Sequence, residues 1–201
     1  MAAPITHLFF ADKFCSKYWE IDKFQFFAWN CLPDIRYIDR TIERTKFHTR
    51  NVTIYEVLQE ESDFWKGVKF HSFIDENRGM YCRKNIYILE DFDGNMIRSL
   101  KFLEDDILYW KLFFRQDFIK FLFGYKFPIY DIDLESIKKW KDVLSDYFSE
   151  QPSKDSRNNF CKRIGLTEDI RIKNEVLIDE FRWKYIQHIS DMIVFLESNI
   201  K

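Results

Sequence analysis

The sequence predicts an all-α fold: a single compact helical domain of about six to eight helices over residues 1–201. Only 5 glycines and 4 prolines interrupt the chain, which leaves room for long helices. Apolar residues also recur at steps of three and four along most of the sequence, which is the period of an amphipathic helix. A chain of this length normally forms one domain.

Two apolar helices are predicted at the start of the chain. Apolar residues recur at helical spacing over residues 5–18, and residues 22–31 are too apolar on all sides to face water. Pro33 should end the second helix, because a proline disfavours helical geometry in the residue before it. Residues 39–52 are polar and are expected to form a loop.

Capping signals predict the next two helices. Thr53 and Glu56 have the spacing of a capping box, in which each side chain bonds a backbone N–H at the start of the helix. Ser62 can cap a following helix over residues 63–78, which Gly79 is placed to end.

Residues 82–98 carry mixed signals. The apolar stretch 85–89 has strand propensity, and Asp93-Gly94 is a typical tight-turn dipeptide. A small hairpin or an irregular excursion is therefore expected there.

The remainder of the chain returns to helical patterns. Residues 99–123 are aromatic with helical spacing, and Asp133 can cap a helix over residues 133–149. The polar stretch 150–166 is expected to be a linker, after which Thr167 begins one long final helix.

Composition and charge exclude several classes of protein. A formal net charge of −2 creates no field that would attract nucleic acid, so no nucleic-acid partner is predicted. The 4 cysteines form no Cys-x-x-Cys pair, which argues against a thiolate zinc site. No apolar run reaches the length of a transmembrane helix and no secretory signal is visible, so a cytoplasmic location is expected. Oligomeric state carries no signal in the sequence.

A histidine and an aspartate four residues apart form the strongest chemical pattern. His71 and Asp75 would point from one face of the predicted helix, where both could bind a single divalent cation. Phe70, Phe73 and Ile74 surround them with apolar surface, on which a charged aspartate is costly unless something compensates it. For this pair alone, a solvated aspartate beside a hydrogen-bonded core histidine is the simpler interpretation.

Three further residues are candidate ligands, although each has a simpler interpretation when taken singly. Asp34 follows Pro33 at the end of a buried helix, where it could point into the core as a ligand or bond nearby backbone in a turn. His48 lies in a polar loop, where histidines are usually just exposed. His7 lies early in the first helix, where a hydrogen-bonded core histidine is the simpler interpretation.

Together these residues form an ordered set that resembles the zinc-dependent phospholipase C family. The matching motifs lie within roughly residues 5–76: Thr6-His7-x-x-x-Ala11, Leu32-Pro33-Asp34-Ile35, His48 and Gly67-x-x-x-His71-x-x-x-Asp75. The resemblance implies an all-helical fold in which a water molecule, activated by zinc, attacks a phosphodiester. It also implies a division of the ligands between two metals: Asp34, His48, His71 and Asp75 would enclose one, and His7 would join Asp75 on a second.

The resemblance sets the expected cofactor. It implies zinc or another divalent metal, as one or two ions, with Asp34 acting as ligand or as general base toward the attacking water. The family's best-known members have another histidine shortly after the aspartate and a later His-x-x-x-Glu pair. Here residues 76–81 contain no histidine, and His188 is followed four positions later by Met192. A three-metal centre is therefore not expected.

Three functions are compatible with this pattern. The first is a metal-dependent hydrolase of a small phosphoester, similar to a phospholipase C or a phosphodiesterase. The second is a non-enzymatic helical protein that retains a structural or vestigial metal site; a closed set of four ligands would favour it, whereas an open coordination position beside a pocket would favour the first. A nucleotide phosphohydrolase of the HD type ranks last, because the sequence contains no His-Asp dipeptide.

Overall fold

The computed structural model of the protein describes residues 4–18, 22–87, 92–127 and 131–200. All regular structure in these ranges is helical, as predicted, but the number of α-helices is 10 and exceeds the expected six to eight. The helices are α1 (Pro4–Lys17), α2 (Lys23–Cys31), α3 (Ile54–Leu58), α4 (Asp63–Asn85), α5 (Gly94–Leu108), α6 (Arg115–Gly124), α7 (Leu134–Ser149), α8 (Lys154–Arg163), α9 (Glu168–Lys184) and α10 (Ile186–Asn199). None of these described helices combines the length and the apolar character needed to span a bilayer.

Helices α1, α2 and α4 pack against one another and form the part of the core that carries the candidate site. Phe14 of α1, Phe26 of α2 and Phe70 of α4 meet at its centre, with ring centroids between 4.7 and 5.5 Å apart. All three side chains are fully buried, and each burial contributes on the order of 2 kcal/mol. This aromatic cluster fixes how the three helices face one another.

Helices α2 and α4 come close together at Gly67. A Cβ atom built there would lie 2.6 Å from the Cβ of Trp29 and 3.2 Å from the carbonyl oxygen of Phe26. Only glycine allows two helix backbones to come so close. His71 follows Gly67 by four residues, so the same close approach brings its side chain against α2.

The capping signals are confirmed, but one predicted helix end is wrong. Thr53 and Glu56 form a capping box on α3, and Ser62 caps α4. However, α4 continues through Gly79 to Asn85. A single glycine costs a helix only about 1 kcal/mol relative to alanine, and the buried face of α4 continues beyond it.

The hairpin expected at residues 82–98 is also wrong for the part that the structure describes. Residues 82–85 belong to α4, and the Asp93 side chain accepts two backbone N–H groups at the start of α5. The dipeptide that resembled a turn is therefore a helix cap. Residues 88–91 of the expected hairpin lie outside the described residues.

Two expectations for the last third of the chain need correction. The stretch 150–166 is not a linker, because it contains α8, which begins with a capping box between Ser153 and Ser156 and buries Phe160. The single long helix expected after it is two helices, α9 and α10, which are separated at Tyr185 by a break in helical geometry (φ −116°, ψ 2°).

Candidate metal centre

The structure brings all five predicted ligand residues to one end of the α1–α2–α4 core. They form two groups that share His71. The first group is His7, Asp34 and His71, and the second is His48, His71 and Asp75. Within each group the ligand atoms lie within 4.8 Å of one another. The first group is buried. His7 is supplied by α1, Asp34 by the 3₁₀ helix Leu32–Tyr37, His48 by the loop that follows, and the remaining two by α4.

The distances between ligand atoms suit a shared cation. His71 Nε2 lies 3.8 Å from Asp34 Oδ2 and 3.8 Å from Asp75 Oδ2. His7 Nε2 lies 3.5 Å from Asp75 Oδ1. Two ligands about 2.1 Å from one tetrahedral zinc ion are about 3.4 Å apart, so the observed distances are close to those of a coordination shell.

The orientation of the His71 ring is fixed by a backbone group of α2. Its Nδ1 atom lies 2.8 Å from the carbonyl oxygen of Asn30, so Nδ1 carries the proton and the Nε2 lone pair points toward the two carboxylates. Neither His71 Nε2 nor Asp34 Oδ2 has a hydrogen-bond partner among the described residues. Two buried acceptors that face each other are unfavourable unless a cation lies between them. This arrangement therefore fits a metal ion.

The three imidazole rings pack together. His7 stacks on His71 with ring centroids 3.9 Å apart and an angle of 11° between planes, and His48 approaches His71 edge-on at 5.0 Å. The side chain of Asn30 donates to the carbonyl oxygen of His7 at 2.9 Å. Asn30 thus bonds the backbone of His7 through its side chain and the ring of His71 through its carbonyl oxygen.

The position of α1 is set by a second buried contact. Asp105 of α5 accepts hydrogen bonds from the backbone N–H and the hydroxyl of Thr6, at 2.8 and 2.9 Å, and its Oδ2 lies 3.1 Å from the Tyr147 hydroxyl. Because Thr6 precedes His7, these bonds fix the helix end from which His7 reaches the site.

Asp75, His48 and His71 have the protonation states that metal binding requires. Burial opposes ionisation of Asp75, but the ammonium group of Lys101, 3.3 Å away, is the main influence that outweighs it and keeps the pKa of Asp75 well below its usual value. Burial lowers the pKa of His71 to about 3 and also lowers the pKa of His48. At neutral pH the site therefore presents an ionised Asp75 carboxylate and neutral imidazoles at His48 and His71.

Glu76 holds the loop that carries His48. Its carboxylate accepts the backbone N–H groups of Asn51 and Val52, at 2.6 and 2.9 Å. Asn51 adopts a left-handed backbone (φ 58°), which an asparagine tolerates better than most residues. The position of Glu76 next to Asp75 on α4 couples the loop to the helix that supplies two ligands.

An open cleft of about 520 Å³ reaches the donor set from one side. His48 and Asp75 line this cleft, whereas His7, Asp34 and His71 do not. The site is thus closed by protein on one side and accessible on the other. The basic side chains that line the cleft are Arg44, Arg50, Arg78, Arg83 and Lys101.

Neither protein-family models, nor curated proteins, nor solved structures give a match to this chain. The interpretation of the site therefore depends on its geometry and on the motifs in the sequence.

Proposed function

We propose that this protein is a metal-dependent hydrolase of small phosphoesters. The observation that carries the proposal is the cleft, which reaches the donor set on the side of His48 and Asp75. Catalytic metal sites keep one coordination position accessible to water and substrate, whereas structural sites are closed. The cleft volume of about 520 Å³ is also in the range of small-molecule pockets.

The donor set suggests which metal would bind. Imidazole nitrogens and carboxylate oxygens suit zinc and similar divalent ions, and two overlapping groups of donors are compatible with one or two ions. The sequence motifs support the same choice through their resemblance to the zinc-dependent phospholipase C family.

Each residue of the site would have its own role in the hydrolysis. A divalent cation supplies Lewis-acid activation, which brings the pKa of a water molecule from 15.7 to about 7. His7, His48, His71 and Asp75 would hold the metal. Asp34 Oδ2, which has no hydrogen-bond partner among the described residues, would act as a ligand or accept the proton of the attacking water. The positive charge of the cleft would attract an anionic phosphoester toward the metal.

The alternative is a structural or vestigial metal site in a non-enzymatic protein. The burial of His7, Asp34 and His71 favours it, since structural sites are enclosed by protein. A purely structural site, however, has no need of an accessible side lined by basic groups. The cleft therefore favours the hydrolase.

Hydrolysis assays of the metal-loaded protein test this proposal. We expect the zinc- or manganese-loaded protein to hydrolyse p-nitrophenyl phosphate or bis(p-nitrophenyl) phosphate, and Asp34→Asn to lower kcat by roughly 10²-fold or more. His188→Ala, which changes a histidine outside both donor groups, is the matched control and should retain activity. A metal-loaded protein that hydrolyses neither ester would leave only the structural alternative.

A further inference from the structure

The cleft beside the donor set has an excess of positive charge. Two of its basic residues already have acidic partners: Arg78 donates to Glu104 through Nε at 2.8 Å, and Lys101 lies 3.3 Å from Asp75. The other three, Arg44, Arg50 and Arg83, are exposed, and no ion pair is recorded for them within the described ranges. Within the described part of the chain, three guanidinium groups therefore face the cleft without a compensating carboxylate.

These three arginines lie on both walls of the cleft. Arg44 and Arg50 flank His48 on the loop wall, and Arg83 lies on α4. Among the residues that the structure describes, Asp75 and Glu76 are the acidic side chains that line the cleft, and the oxygens of Glu76 are occupied by two backbone N–H groups. An anion that enters the cleft therefore meets guanidinium groups from two directions.

The spacing along α4 separates Arg83 from the metal ligands. Asp75, Gly79 and Arg83 follow one another at steps of four, so they lie along one face of the helix. The rise of 1.5 Å per residue places the backbone of Arg83 about 12 Å beyond that of Asp75 along the axis. Gly79 has no side chain between them, and a Cβ there would meet only the end of the Arg83 side chain. The guanidinium group of Arg83 therefore lies back over Gly79, about one helical turn from Asp75, and faces the part of the cleft next to the ligands.

We propose that the cleft takes a small molecule with two phosphate groups, one at the metal ligands and a second held by Arg44, Arg50 and Arg83. This inference rests on the proposed function, because the first phosphate is the group to be hydrolysed. Guanidinium groups bind phosphate oxygens in a bidentate manner, and a cleft lined by one sign of charge concentrates ligands of the opposite sign.

Calorimetric titration of the metal-loaded protein with a matched pair of sugars tests this inference. Fructose 1,6-bisphosphate and fructose 6-phosphate share the sugar and differ by one phosphate. At an ionic strength of about 0.15 M, where weak surface electrostatics are screened, we expect the bisphosphate to bind at least about tenfold more tightly. The triple variant Arg44→Gln/Arg50→Gln/Arg83→Gln should reduce this ratio to below about twofold, and Arg83→Gln alone should reduce it in part.

Arg40→Gln is the matched control, because Arg40 is an exposed arginine that does not line this cleft. It should leave the ratio unchanged. Equal affinities of the parent for the two sugars, or a ratio that survives in the triple variant, would overturn the second phosphate position while leaving metal binding and hydrolysis of simple esters intact. Absence of bound metal would instead contradict the proposed function, and elemental analysis of the same sample separates the two failures.

Discussion

Asn30 contacts two of the candidate ligands at once. Its carbonyl oxygen lies 2.8 Å from Nδ1 of His71, and its side-chain amide donates to the carbonyl oxygen of His7 at 2.9 Å. Asn30 is fully buried, so both bonds are shielded from water. A single residue of α2 therefore orients one imidazole and anchors the helix that carries another.

Replacement of Asn30 by alanine should weaken metal binding without removing any ligand. The variant keeps the carbonyl group that orients His71 but loses the bond to the His7 backbone. Loss of such outer-shell partners typically lowers metal affinity by about 10- to 100-fold. Competition with a chromophoric chelator measures the change. Asn85→Ala, which removes a comparable amide-to-carbonyl bond near the end of α4, is the control, and equal losses in both variants would contradict a specific role for Asn30.

Replacement of Gly67 by alanine should destabilise the fold, whereas the same change at Gly79 should not. The new Cβ at position 67 would meet Trp29 at 2.6 Å, and overpacking of this kind costs about 1–3 kcal/mol. At position 79 it would meet only the Arg83 side chain, so the better helix propensity of alanine should add up to about 1 kcal/mol. Urea unfolding of the two metal-free variants gives both values. A Gly67→Ala protein as stable as the parent would refute the close approach of α2 and α4.

Glu76→Ala should release the His48 loop and lower metal affinity. The carboxylate of Glu76 holds two backbone N–H groups, one at an exposed and one at a partly buried position, where each bond contributes on the order of 1 kcal/mol. Limited proteolysis should show faster cleavage near residues 48–52, and chelator competition should show weaker metal binding.

Glu76→Gln distinguishes this positioning role from a role as proton donor. Glutamine keeps one acceptor oxygen and should retain part of the metal affinity, whereas Glu61→Ala, at an exposed position just before α4, should change nothing. Unchanged metal affinity in both Glu76 variants, together with complete loss of hydrolysis, would identify a proton donor instead.

Asp105→Asn should remove a pH dependence of stability. Burial raises the pKa of Asp105 from 3.8 to about 8, so the folded state holds a proton that the unfolded state releases above pH 3.8. The associated stability is complete below that value and is lost as pH rises to about 8, by at most about 1.4 kcal/mol per pH unit. An asparagine side chain can accept both hydrogen bonds from Thr6 and donate one to the Tyr147 hydroxyl, but it does not titrate. Urea unfolding between pH 4 and 8 should show the parent losing stability relative to the variant; parallel curves would contradict the raised pKa.

Local signals were sufficient to predict the helices that carry the ligands. The cap at Ser62 and the apolar pattern of α1 act over a few residues, and the structure confirms both. The α-helical part of α2 does end before Pro33, but Leu32 keeps helical geometry (φ −66°, ψ −38°) and the chain continues as the 3₁₀ helix Leu32–Tyr37, so the expected effect of the proline on its neighbour is wrong. The spacing of four between His71 and Asp75 predicts a shared helix face, and both side chains do join one donor group. The helix end predicted at Gly79 and the turn predicted at Asp93 are wrong, because a glycine can lie inside a helix and an aspartate can cap a helix as readily as it can form a turn.

The surroundings of the ligands depend on tertiary contacts that leave no local pattern. Lys101 reaches Asp75 from a different helix, 26 residues further along the chain, and Glu76 bonds a loop that precedes it by 24 and 25 residues. Asn30 did carry a signal, because an amide inside an otherwise apolar helix must find buried partners. The basic cleft is assembled from a loop and the far end of α4, so only the fold brings its arginines together.

Elemental analysis of the purified, tag-free protein tests the central claim, which is that the five converging side chains bind a metal. We predict one or two divalent ions per chain after dialysis, with zinc the foremost candidate, and their loss in His71→Ala and in Asp75→Ala, while His188→Ala retains them. A parent protein that remains free of metal after reconstitution with zinc, or variants that hold as much metal as the parent, would contradict the account.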